Sequence, residues 1–198
     1  MHSQQGMSAS FCILAALLLS SATTVGAQQP ARPKPRTNAQ AEVIAKFENR
    51  VKTYVELRDK LDATLKDVPK QTDPASADRH QRALEKLVQA SRKSAKAGDI
   101  FTPDMQALVR RLLQPIFSGA DGRQIRDEIH DNEYKGNAPL KVNARYPDEV
   151  PLSTVPPQVL SALPKLPGEL EYRFIGSSLI LFDPHAHIIV DFMNRAYR

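Results

Sequence analysis

The prolines decide where regular structure can run in this chain. Proline locks φ near −65° and has no N–H to donate, so it ends helices, opens them, or breaks up a stretch altogether. None lies between Pro35 and Pro69. Pro74 directly follows Asp73, and Pro103 directly follows Thr102. Seven prolines then crowd positions 139 to 167, and Pro184 separates two apolar runs. The long proline-free stretches leave room for helices, and the crowded stretch admits only short elements.

The clearest helix is expected over Ala39 to Val68, ended by Pro69. Ile44, Phe47, Val51, Tyr54, Leu61 and Leu65 recur at three- and four-residue steps as one apolar stripe, interrupted by Arg58. Glu42–Lys46, Glu48–Lys52, Glu56–Lys60 and Asp62–Lys66 are acid-before-base pairs four apart, the favourable order on a solvated face. Asp73-Pro74 and Thr102-Pro103 read as N-cap followed by proline at the first helical position. The second helix carries Leu84, Leu87, Val88 and Ala95 and is expected to stop at Gly98. The third, with Met105, Leu108, Val109, Leu112, Leu113, Ile116 and Phe117, is the most apolar and belongs at the centre. Pro115 is expected to kink or end it. A shorter helix is expected from Asp121 to about Asn132.

Residues 135–168 read as a proline-rich connector with one short helix over Pro156 to Leu163. Residues 169–198 read as a three-stranded antiparallel meander. Leu170, Tyr172 and Phe174 alternate with Glu171 and Arg173, and Gly176-Ser177 supplies a turn. Leu179-Ile180-Leu181-Phe182 is apolar on both faces, as in a central strand covered from both sides. Asp183-Pro184-His185-Ala186 is the second turn, and Ile188-Ile189-Val190 returns. The expected fold class is α+β, with amphipathic helices over 39–134 packed on a small carboxy-terminal sheet.

Met1 to Ala27 holds no charged residue, and Phe11 to Leu19 is almost wholly apolar. That run is too short to span a bilayer and fits the core of a signal peptide, with cleavage after Ala27 and Met1 or Met7 as the start. The expected location is the periplasm. Cleavage would remove Cys12, the one cysteine, and with it any disulfide or thiolate chemistry. Gln28 to Asn38, with alternating proline and basic residues, reads as a linker. The net charge of +5 is concentrated before Gly98. Export and the scarcity of aromatics in that basic half argue against nucleic acid and favour an acidic protein or an anionic envelope component. No membrane span is expected in the mature chain.

Tyr172-Arg173-Phe174-Ile175-Gly176, Leu179 to Asp183 and Ile189-Val190-Asp191 resemble the carboxy-terminal hairpin of small bacterial periplasmic proteins, one group of which is associated with nickel and cobalt homeostasis. The run from Val142 through Val155-Pro156-Pro157 and Leu163-Pro164 to Tyr172 is similar to uncharacterised secreted proteins of Gram-negative soil bacteria. The resemblance covers the last third of the chain and implies a structural motif, with no catalytic residue to carry over.

His185 and His187 stand two apart beside Asp183, and with Asp183 or Asp191 they make a candidate divalent-metal set; two histidines rarely make a full site, and a polar turn in solvent is the favoured reading. Asp127, His130, Asp131 and Tyr134 share a helical face, which a solvated surface also explains. Gly176-Ser177-Ser178 lacks the following glycine of a nucleophile elbow, and no HExxH pair, phosphate loop or dinucleotide fingerprint occurs. The chain is therefore expected to be a non-catalytic binding or structural protein without a cofactor, the alternatives being a metal-homeostasis protein and an envelope-polymer hydrolase. The length of the first helix suggests a docking surface at Phe47, Val51, Tyr54 and Arg58, for self-association or for a partner helix.

Overall fold

The structure, a computed structural model, describes residues 36–65, 73–131, 140–148, 155–167 and 169–197. The expected signal segment over 1–27, the linker before Arg36, Pro69 and Tyr134 lie outside the described residues.

Helix α1 spans Arg36–Asp62. It starts three residues earlier than Ala39, because nothing in Arg36-Thr37-Asn38 stops the helix from running back to Pro35. It also stops short of Val68. Thr64 and Leu65 donate their N–H groups to the carbonyls of Leu61 and Asp62 at 3.0 Å, a tight last turn that ends the α-helix. Helix α2 spans Pro74–Ser91 and is capped by Asp73, whose carboxylate accepts from the Ser76 N–H at 2.9 Å. It ends before the expected Gly98, and Gly98 instead takes a left-handed φ of +92° in the loop that follows. Helix α3, Pro103–Ser118, is capped by Thr102 and runs through Pro115 without ending there. Helix α4 spans Gly122–Asp131 and α5 spans Pro157–Ala162. A Cβ at Gly122 would lie 2.1 Å from the Phe117 carbonyl oxygen, so only glycine lets α4 begin this close to the end of α3.

Strands β1 (Glu171–Ile175), β2 (Ser178–Asp183) and β3 (Ile188–Met193) form an antiparallel sheet in the order β1-β2-β3. Gly176 turns the first hairpin with φ of +55°. β2 is central and its two faces meet different cores. Leu179 and Leu181 join Tyr172, Phe174, Val190 and Met193 in the main core with α1, α2 and α3. Ile180 and Phe182 join Tyr146 and Ile189 in a smaller cluster on the far face. Residues 143–146 lie along β3, exchanging hydrogen bonds between Asn143, Ala144, Tyr146 and the backbone of Ile189 and His187 at 2.8–2.9 Å. This is why β2 is apolar on both sides: helices cover one face and the connector covers the other.

The register shifts by one residue between β2 and β3, where Leu181 pairs with Asp191 and Phe182 pairs with Ile189. Val190 is the extra residue of this β-bulge. It breaks the alternation, so that Val190 and Asp191 both turn toward the helices.

The stripe proposed as a docking surface is core. Phe47, Val51, Tyr54 and Arg58 are 1–3 % exposed. Phe47 packs its ring 5.6 Å from Phe101, and Tyr54 bonds to the sheet. The helix is long because it crosses both α2 and α3, and its apolar face is used up inside the chain. Among the described residues no helix is long and apolar enough to cross a membrane.

Candidate functional site

The residue that interrupts the α1 stripe marks the site. Arg58 lies one turn beyond Tyr54, and Asp62 one turn beyond Arg58, so the apolar face of α1 becomes polar toward its end. The same happens at the start of α2, where His80 stands four residues before Leu84 and eight before Val88, both of which are buried. The two polar ends meet. His80 Nε2 lies 2.6 Å from Asp62 Oδ1. The turn between β2 and β3 closes the third side, held by Gln81, whose side-chain amide donates to the Pro184 carbonyl at 3.0 Å.

These elements enclose a cleft of about 580 Å³ lined by Arg58, Asp59, Asp62, His80, Gln81, Leu84, Glu169 and His185, among others. Beneath it lies a buried polar cluster. Asp183 is fully buried at the end of β2. Its Oδ2 accepts from the Tyr54 hydroxyl at 2.6 Å, and its Oδ1 accepts from the His185 and Ala186 N–H groups at 2.8 and 3.2 Å. The carboxylate thus ties α1 to the sheet and shapes the Asp-Pro-His-Ala turn. Burial, followed by the charge and hydrogen bond of Asp183, pushes the Tyr54 pKa well up, so the phenol stays protonated and keeps donating. The Arg92 guanidinium stacks over the Tyr54 ring at 4.9 Å.

Arg58 is 3 % exposed. Its Nε and Nη2 donate to Asp59 Oδ1 at 3.0 and 2.7 Å. Its Nη1 lies 3.7 Å from Asp183 Oδ1, near enough for charge attraction but too far for a hydrogen bond, and has no hydrogen-bond partner among the described residues. Burial lowers the Arg58 pKa, but the Asp59 hydrogen bond and the Asp183 charge outweigh that effect, and the group is a fixed cation.

Asp183, His185 and His187 do not come together as metal ligands. Asp183 is committed to Tyr54 and the turn, and His185 is on the exposed rim of the cleft. His187 takes a φ of +54° and turns its Nε2 to within 3.3 Å of Asp148, with its ring edge-on to Phe182. Among the described residues no group of three His, Cys, Asp or Glu is placed to hold a metal ion. His130 and Asp127 are exposed on α4, away from the cleft lining.

Helical spacing assigns Asp62 to the solvated face with Lys66 and singles out neither His80 nor Gln81, whereas the structure turns Asp62 to His80. The sequence signal for the pair is a polar residue standing on the apolar stripe of each helix, as Arg58 also does.

No protein-family model matches this chain, and no curated protein or solved structure shows significant similarity to it.

Proposed function

We propose that this protein is a non-catalytic binding protein of the bacterial periplasm, and that its ligand sits in the cleft between α1, α2 and the β2–β3 turn. The observation that carries this reading is the cleft itself. It has the volume of a small-molecule site, and groups of both signs line it from rigid helices. The polar groups are already held in place, Arg58 by Asp59 and His80 by Asp62, so the site is preorganised. Such a site suits a small polar ligand with both donors and acceptors. The periplasmic location is supported by the uncharged, apolar character of residues 1–27.

The test is native mass spectrometry of the full chain purified from periplasmic extract, beside a His80→Ala, His185→Ala variant. A small molecule bound to the wild type and missing from the folded variant supports the reading. An empty wild-type protein, with no thermal shift in a periplasmic metabolite extract, overturns it.

One observation favours a second reading, a hydrolase. A histidine held 2.6 Å from a carboxylate is the arrangement of an oriented general base. Among the described residues the cleft lining offers no serine, threonine or cysteine, so the nucleophile would be water. Recovery of the bound molecule in hydrolysed form, only with His80 present, would favour this reading over simple binding.

A further inference from the structure

We infer that a second groove, between α3 and the segment after β3, binds a phosphoryl anion carried on an apolar body. Arg110, Arg111 and Arg195 line this groove of about 640 Å³, and among the described residues no carboxylate lines it with them. Like charges gathered without a counter-charge repel one another, and an anion placed between them removes that repulsion. The cluster is built rather than accidental. Arg110 donates from Nε to the Arg195 carbonyl at 3.0 Å and from Nη2 to the Asn194 carbonyl at 2.9 Å. Those bonds hold Arg195 in a left-handed conformation with φ of +51°, which glycine or asparagine would adopt with less strain. An arginine here adds charge at the expense of backbone comfort.

The chemistry follows from the lining. Guanidinium groups pair with phosphate oxygens in a planar, two-pronged fashion, and several arginines suit a dianion better than a single carboxylate. The groove is much larger than a phosphate. Gln114 and Ser118 add polar groups, and the apolar part of the wall is Ala107, Ala196 and the edges of Phe117 and Tyr197, whose rings stack with centroids 4.1 Å apart. A phosphate monoester with an apolar or aromatic substituent matches both parts. This site shares no lining residue with the α1–α2 cleft, and the two readings stand or fall separately.

The test is calorimetric titration of the purified full chain with phenyl phosphate and with inorganic phosphate, and flotation with vesicles of phosphatidylcholine with or without phosphatidic acid. Phenyl phosphate is expected to bind at least about tenfold more tightly than inorganic phosphate, because its ring is buried. Arg111→Glu with Arg195→Glu, both at exposed positions, should weaken binding more than about tenfold while the protein stays folded. Arg195→Gly should relieve the backbone and melt no lower than wild type, yet also bind weakly. Phenyl phosphate binding without vesicle binding supports a soluble ligand. Phosphatidic acid binding that the double variant abolishes supports a lipid phosphate monoester as the source of the same chemistry. His80→Ala with His185→Ala should leave both unaffected. The inference is overturned if neither probe binds in the millimolar range, if the double variant binds as wild type does, or if inorganic phosphate binds as tightly as phenyl phosphate.

Discussion

Asp183 and Asp191 are both fully buried, on the face of the sheet that meets the helices. Each fastens a different part of the helical layer. Asp183 holds α1 through Tyr54. Asp191 holds the loop between α2 and α3: its Oδ1 accepts from the Gly98 and Phe192 N–H groups at 2.9 and 2.8 Å, and its Oδ2 accepts from Ile100 and Phe101 at 2.7 and 2.8 Å. The bulge at Val190 makes this possible, since regular alternation would aim Asp191 at the opposite face. Replacing Asp191 with alanine strands three loop N–H groups in the interior at about 1–3 kcal/mol each, less whatever water recovers. The expected loss is about 3–5 kcal/mol, a fall of about 10 °C or more in Tm for a chain of this size, read by calorimetry. Asp191→Asn should fare little better, because an amide NH₂ would confront N–H donors.

His187 contributes to the acid side of the stability curve. Burial, then the nearby Arg145 cation, holds its pKa below the ordinary value of 6.5. The unfolded chain therefore takes up this proton more readily than the folded one. Stability from His187 is complete above about pH 6.5 and declines as the pH falls through the folded-state pKa. His187→Asn, which keeps a residue tolerant of positive φ, should flatten that part of the decline in urea titrations from pH 7 to 5. An unchanged slope would show that another group is responsible.

Among the elements, β2 bears the largest share of the packing, with Leu179, Ile180, Leu181 and Phe182 all fully buried. Leu181→Asp puts an unpaired charge into the main core and should cost several kcal/mol, comparable to the stability of a whole domain. Ser177→Asp, in the first turn, should change Tm by no more than a few degrees. Equal tolerance of the two changes by circular dichroism would contradict the central position of β2. Helix α1 invites a related experiment. Since Val51 and Tyr54 are 1 % and 3 % exposed, Val51→Glu with Tyr54→Glu should unfold the protein. A folded variant with altered sedimentation would instead restore the docking role that the buried stripe excludes.

The whole described molecule is a layer of helices on one face of a three-stranded sheet, with the connector folded over the other face. With one cysteine in the whole sequence, that arrangement is held by packing and hydrogen bonds without an internal disulfide. Edman sequencing of protein recovered from the periplasm should begin at Gln28. An intact Met1 or Met7, or cytoplasmic retention, would overturn both export and the absence of cysteine. Arg145 joins the layers at long range, donating to Glu85 and Gln81 on α2 at 3.1 Å while its backbone lies beside β3. It carries no periodic or capping signal, because its partners are 60 and 64 residues away.

Much of the architecture was legible in the order of residues because it rests on local physics. Asp73-Pro74 and Thr102-Pro103 begin helices wherever they are placed, and Gly176 makes a turn through its own φ preference. The double-sided apolar run of β2 had to be central, since exposing either face to water would be costly. Helix ends were less legible. The same local pattern allowed α1 to reach Val68, and it carries no sign of the tight turn in which Thr64 and Leu65 bond back to Leu61 and Asp62. Least legible was the meaning of isolated polar residues. Arg58 and Tyr54 read equally well as an outward seam and as a buried polar contact until the sheet supplied Asp183. Asp191 reads in the sequence as a candidate metal ligand, and only a one-residue bulge turns it toward Gly98, Ile100 and Phe101. A buried charge is stabilised by partners far away in the chain, and only folding brings those partners within hydrogen-bonding distance.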